Sequence, residues 1–108
     1  MLLADDQQRS AIAELETAVR LNGASAESLY WLGRAYRATG DYLNAIQQFQ
    51  RATEIRPDYY EARFYLGRAW DESGTGADAI TTYSALIAEA PADDPWRLEA
   101  ERELDRIQ

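Results

Sequence analysis

Apolar residues recur along this chain at the spacing of an α-helix. Leu29, Leu32 and Tyr36 fall on one face of a helix, and Ala45 and Phe49 continue the same spacing in the next segment. Every segment longer than a turn follows this period rather than the alternation of a half-buried strand. The pattern therefore predicts an all-α protein.

The helical pattern itself repeats with a period of 34 residues. Sliding the chain by 34 superposes nine identical residues over the 32 positions of 26–57. Composition alone would give about two identities over that length. The nine residues are Glu27, Leu32, Gly33, Arg34, Ala35, Gly40, Ala45, Ile46 and Pro57, which fall on Glu61, Leu66, Gly67, Arg68, Ala69, Gly74, Ala79, Ile80 and Pro91. A repeat of this length predicts a stack of identical structural units.

Each unit carries the punctuation of a helical hairpin. Gly40 and Gly74 divide the two units into two helices each, and Pro57 and Pro91 end the second helix. The same period runs past both ends of the pair. The predicted boundaries are a half repeat at about 7–23, full repeats at 26–59 and 60–93, and a C-terminal capping helix at 94–108. We predict one domain, 1–108, forming an α-α superhelix of about six antiparallel helices.

The repeated residues resemble the tetratricopeptide repeat signature. The matching residues are Leu32, Gly33, Tyr36, Ala45, Phe49 and Pro57 in one unit and Leu66, Gly67, Trp70, Ala79, Tyr83 and Pro91 in the next. The Trp that opens the family pattern is Leu29 in one unit and Arg63 in the other, and Gly76 replaces the usual aromatic residue. Gly33 and Gly67 are small where the two helices of a hairpin approach closely. The resemblance implies a concave surface, lined by the first helix of each unit, that binds a peptide.

Two rows of residues recur at the repeat period on the first helices. The candidate peptide-binding residues are an apolar row, Tyr30, Phe64 and Leu98, a basic row one turn further on, Arg34, Arg68 and Arg102, and the neighbouring Arg37 and Asp71. Such a surface suits a partner helix or extended segment that carries apolar anchors and acidic groups. An empty groove must leave its anchors uncovered, so we expect the apolar row and the Arg heads to be exposed.

The alternative interpretation of these rows is structural. Repeat inheritance would copy the residues, the acids three positions after Arg68 and Arg102 would pair with them, and the aromatic residues would pack on neighbouring units. The Lys/Asn clamp of chaperone-binding relatives is not present, because the sequence contains no Lys.

Composition narrows the classes of partner. The 19 acidic and 11 basic residues give a net charge of −8. Nucleic acids and anionic membranes are recognised by basic patches, so we expect a protein or peptide partner, no nucleic acid and no small-molecule substrate. The chain has no His and no Cys, which removes the commonest general base and the strongest nucleophile. We expect no catalytic residue, no metal, no cofactor and no enzymatic activity.

The end of the chain carries a second, more specific resemblance. The run 88–96 and the charged last helix are similar to the C-terminal repeats of bacterial c-type cytochrome maturation proteins, whose repeat domain holds apocytochrome in the periplasm. This resemblance implies a bacterial scaffold or chaperone in cytochrome c assembly. No run of about 20 apolar residues occurs, so a membrane segment would lie outside this chain. The sequence leaves the compartment open between cytoplasm and periplasm.

The incomplete first unit favours a rival function. Its helix has lost most of the partner helix that a complete unit would supply, so we expect an apolar strip of Ile12, Leu15, Val19 and Leu21 to be partly uncovered. The segment Met1–Leu3, a second copy of the chain or upstream residues would cover it. The rival is therefore a structural repeat that oligomerises through its helical faces.

Overall fold

The residues that the structure describes form six α-helices and contain no strand. The structure is a computed structural model that describes the backbone of residues 2–108 and the side chains of residues 7–108. The helices are α1 (Leu2–Asn22), α2 (Ala26–Ala38), α3 (Tyr42–Ile55), α4 (Tyr60–Glu72), α5 (Gly76–Glu89) and α6 (Pro95–Ile107). The predicted all-α fold is confirmed.

Helix boundaries lie at the residues that interrupt the sequence pattern. Gly40 and Gly74 adopt φ angles of 82° and 91° in the turns inside the two hairpins, a conformation that L side chains rarely adopt. Asp94 caps α6, and its carboxylate accepts a hydrogen bond of 2.8 Å from the Trp96 amide. Pro95 occupies the first turn of that helix, where no intrahelical amide donor is lost.

The two helices of each full hairpin touch at a glycine. A Cβ atom built on Gly33 would lie 2.7 Å from the ring of Phe49, and one built on Gly67 would lie 2.5 Å from the ring of Tyr83. Both rings are fully buried. The prediction that small residues allow close approach of the paired helices is therefore confirmed.

The positions that depart from the family pattern are accommodated locally. Leu29 is fully buried in place of the opening Trp. Arg63, at the equivalent position of the second unit, extends its Nη1 to 2.8 Å from the carboxylate of Glu89 on α5. No atom lies within 4 Å of a Cβ built on Gly76, so the space of the usual aromatic side chain is open.

The interior contains two hydrophobic cores that share a boundary. The first core comprises Leu29, Tyr30, Ala45, Ile46, Phe49, Ala52, Ala62, Leu66 and Ala69. The second core comprises Phe64, Ala79, Tyr83, Leu86, Ala90 and Ala100. Tyr65 and Trp70 of α4 pack against both cores. Each core is thus built between neighbouring hairpins as well as within one, as expected for stacked repeats.

The stack is curved because its two rows of helices are spaced differently. The first helices approach one another, with α2 in contact with α4 and α4 in contact with α6. The second helices α3 and α5, both fully described, have no Cα atoms within 8 Å of each other. The closely spaced row therefore lies on the inside of the curve. We call the exposed surface of α2, α4 and α6 the inner face.

Helix α1 packs on one side only. Among the described elements it contacts α2 alone, where the Tyr36 hydroxyl donates to the Glu16 carboxylate. Ile12, Leu15 and Val19 are half-buried and Leu21 is 72% exposed, which confirms that the strip is partly uncovered. Leu21 lies two residues beyond Val19, about 200° around the helix, and so belongs to the opposite side. The predicted cover by Met1–Leu3 lies outside the described side chains.

Candidate peptide-binding surface

Two members of the predicted apolar row lie inside the protein. Tyr30 is 1% exposed and Phe64 is 4% exposed, so the prediction that they are accessible groove anchors is wrong for both. In α2 the buried positions 26, 29, 30, 32 and 33 mark the core-facing side of an amphipathic helix, and Tyr30 belongs to it. Leu98 differs, because it is 46% exposed.

Tyr30 connects the first helices of two units from within. Its hydroxyl donates a hydrogen bond of 2.5 Å to the carboxylate of Glu61 on α4. The Arg34 guanidinium donates to the same hydroxyl at 3.4 Å. Burial, and secondarily the hydrogen bond to Glu61, raise the pKa of Tyr30 above its ordinary value. The residue thus supports the inner face from below, as the structural interpretation of the row predicts.

The aromatic residue exposed on the inner face is Trp31, one position after the predicted anchor. It is 52% exposed, and one helical residue turns it about 100° away from the core-facing stripe. The guanidinium carbon of Arg34 lies 5.3 Å from the Trp31 ring centre and 4.8 Å from that of Tyr65. A signal for Trp31 was present in the sequence, since Trp31 and Tyr65 are matched at the repeat period.

Arg37 and Asp71 connect adjacent first helices. Arg37 donates from Nε and Nη2 to the carboxylate of Glu72, at 2.6 Å and 2.8 Å, and this pairing raises the pKa of Arg37. Asp71 accepts from Arg106 at 2.5 Å. The predicted structural pairing of Asp71 with Arg68 is therefore wrong. Both bridges join residues 35 apart, so each one fastens a unit to its neighbour.

The basic row divides into one engaged and two available guanidinium groups. Arg102 is paired with Glu99 at 2.7 Å rather than with the acid three residues later, so that predicted pairing is also wrong. Among the side chains that the structure describes, Arg34 and Arg68 form no ion pair. Arg68 lines a pocket of 420 Å³ between α4 and α6, together with Tyr65 and other residues. The inner face therefore combines aromatic surface with unpaired guanidinium groups.

In the part of the chain with described side chains, no group of three or more His, Cys, Asp or Glu residues is arranged to hold a metal ion. No helix in the described range is long and apolar enough to cross a membrane. Aromatic and guanidinium groups at an exposed surface are typical of protein interfaces.

Helical hairpins that repeat along the chain and stack on their neighbours define the class of helical repeat proteins. Two family models described as tetratricopeptide repeat match the chain, one over residues 36–101 and the other over residues 2–60. Each match spans more than half of the chain, and the chain belongs to the tetratricopeptide repeat family. Repeat domains of this family are generally non-enzymatic scaffolds for protein–protein interaction.

Solved structures show the same fold. Two crystal structures of MamA match with TM-scores of 0.83 and 0.74 at 29% and 28% identity, each covering 93% of this chain. A putative kinesin light chain from Podosopora anserina with nearly identical TPR-like repeats matches with a TM-score of 0.76 at 22% identity over 97% of this chain. The chain spans 56%, 58% and 59% of the length of these three proteins.

The comparisons limit the more specific resemblance. A search of curated protein sequences finds no significant match. The similarity to c-type cytochrome maturation proteins receives no support from the family models or the structural neighbours. The family assignment therefore rests on the tetratricopeptide repeat models and does not extend to cytochrome maturation.

Proposed function

We propose that this protein is an interaction module that binds an extended or helical segment of a partner protein on its inner face. The observation that carries the proposal is Trp31, a large aromatic side chain that is 52% exposed beside Arg34 and Tyr65. Trp, Tyr and Arg are the residues most enriched at the energetic centres of protein interfaces. Burying an exposed apolar side chain against a partner removes it from water, which lowers the free energy of the complex.

The charges of the inner face favour an acidic partner segment. Arg34 and Arg68 each have a guanidinium group without an ion-pair partner among the described side chains. Leu98 adds an exposed apolar contact further along the face. A guanidinium binds a carboxylate through charge-assisted hydrogen bonds. A role in holding apocytochrome c during assembly is a special case of this proposal and depends on the resemblance of the segment 88–96 alone.

Selection of peptides on the immobilised protein tests the proposal. Peptides enriched from a displayed random library should bind the wild type, and Trp31→Ala should weaken each by at least about tenfold. Leu43→Ala is the matched control, because Leu43 is an apolar residue, 72% exposed, on the second helix α3. Failure to enrich any peptide, or equal binding to the two variants, would show that the inner face is not the binding surface.

A second candidate function is self-association through α1. Ile12, Leu15 and Val19 form a half-buried stripe on α1, and although Val19 packs against the first core, α2 is the one described helix that α1 contacts. Partly uncovered apolar stripes are association sites. Repeat proteins therefore need terminal helices with a polar outer face, which keep separate copies from associating. The two candidates use different surfaces and can be tested separately.

A further inference from the structure

The pocket between α4 and α6 differs from the rest of the inner face. It has a volume of 420 Å³, within the range of ligand-binding clefts. Its walls are aromatic, with the ring centres of Tyr65 and Trp96 5.9 Å apart and those of Phe64 and Trp96 5.3 Å apart. Phe64 is buried beneath it, while Tyr65 and Trp96 are half-buried. Such walls suit a flat apolar side chain, which gains from edge-to-face and offset contacts with the rings.

The same position of the repeat is filled between α2 and α4. There the Arg34 guanidinium stacks 4.8 Å from the centre of the Tyr65 ring. Arg37, one turn after Arg34, also joins α2 to α4 there, through its hydrogen bonds to Glu72. Between α2 and α4, therefore, an aromatic ring partly stabilises the charge of the Arg34 guanidinium.

Arg68, the equivalent of Arg34 one unit later, lacks this support. The residue that replaces Tyr65 at the next repeat position is Glu99, and its carboxylate is 2.7 Å from Arg102. The other acid in the pocket wall, Glu103, is 2.9 Å from Arg106. Arg68 thus has neither an ion-pair partner nor a stacked ring among the described side chains.

We propose that the α4–α6 pocket takes an aromatic side chain of an acidic, extended partner segment, and that Arg68 binds a carboxylate two residues away in that segment. In an extended chain, residues i and i+2 point to the same side and lie about 6.6 Å apart. That spacing allows one side chain to enter the pocket while the other meets the guanidinium at its rim. This inference rests on the proposed function and defines the chemistry of its partner.

Three labelled synthetic peptides in a Gly/Ser frame test the inference by titration. Their cores are Glu-Ser-Phe-Ser-Glu, Gln-Ser-Phe-Ser-Gln and Glu-Ser-Ala-Ser-Glu, so that either chain direction presents the acid at the required spacing. The first should bind the wild type about tenfold more tightly than each of the others. Its advantage over the Gln peptide should shrink at high salt, because partly exposed charges are screened.

Arg68→Gln should abolish the preference for the Glu peptide over the Gln peptide. Arg51→Gln removes the same charge from an exposed position on α3 and should keep that preference. Equal binding of the Glu and Gln peptides to the wild type, a measurement that needs no variant, would overturn the inference. So would a preference that survives Arg68→Gln. In either case, library peptides whose binding depends on Trp31 would still support the proposed function. If the library selection enriches no peptide at all, both the proposed function and this inference are wrong.

Discussion

At the scale of single residues, close packing depends on two glycines. A Cβ atom at position 33 or 67 would approach the ring of Phe49 or Tyr83 to less than 3.0 Å, and both rings are held in buried cores. Gly33→Ala and Gly67→Ala should each lower the free energy of unfolding by about 1–3 kcal/mol through overpacking. The intrinsic helix propensity of Ala, worth about 1 kcal/mol, offsets only part of this strain. Chemical denaturation of each variant measures the difference.

Gly76→Ala is the control for this prediction. Gly76 opens α5 with no atom within 4 Å of its built Cβ and without a positive φ angle. The substitution should change the unfolding free energy by no more than about 0.5 kcal/mol, or raise it slightly. If all three substitutions have the same effect, the contacts at Gly33 and Gly67 do not limit the separation of the paired helices.

At the scale of helices, α1 has the least tertiary support among the described residues, because it contacts α2 alone. Ile12→Glu places a charge on its half-buried stripe, whereas Leu21→Glu places the same charge on the opposite, exposed side. If the stripe is an association site, the wild type and Leu21→Glu should gain mass with concentration in sedimentation velocity, and Ile12→Glu should not. A wild type that stays monomeric at every concentration would exclude the second candidate function.

Two ion pairs connect first helices of neighbouring units. Arg37–Glu72 and Arg106–Asp71 each cross from one first helix to the next, 35 residues away. Both pairs are exposed to solvent on at least one side, and solvent and salt screen such charges, so these pairs contribute little to stability. Burial of apolar side chains in the two cores therefore supplies most of the stability.

At the scale of the whole molecule, the two cores should unfold together. Tyr65 and Trp70 pack against both, so damage to one core removes contacts from the other. Phe64→Ala should lower the stability of the whole chain by about 3–5 kcal/mol and shift one common melting transition downward. Circular dichroism and Trp fluorescence should report the same midpoint.

Leu98→Ala provides the comparison, because Leu98 is 46% exposed and should contribute no more than about 0.5 kcal/mol. Two separate transitions in Phe64→Ala would mean that the hairpins unfold independently. An unchanged melting temperature would place Phe64 outside the core, in disagreement with its 4% exposure.

The sequence alone determined the features that depend on local spacing and on self-similarity. The period of apolar residues predicted the helices, the period of 34 predicted their stacking in units, and glycine and proline marked their ends. Gly33 and Gly67 could be assigned to close helix contacts for the same reason. Each of these inferences uses residues close together in the chain or copied from one unit to the next.

Only the tertiary structure decided which face of each first helix meets the solvent. Tyr30 and Trp31 are adjacent aromatic residues, and a rotation of about 100° between them separates core from inner face. The partners of Arg37 and Arg106 also depend on how neighbouring units pack, since each pair spans more than one repeat. The periodicity of a single helix contains no information on that packing, because side chains far apart in sequence meet only when the units stack.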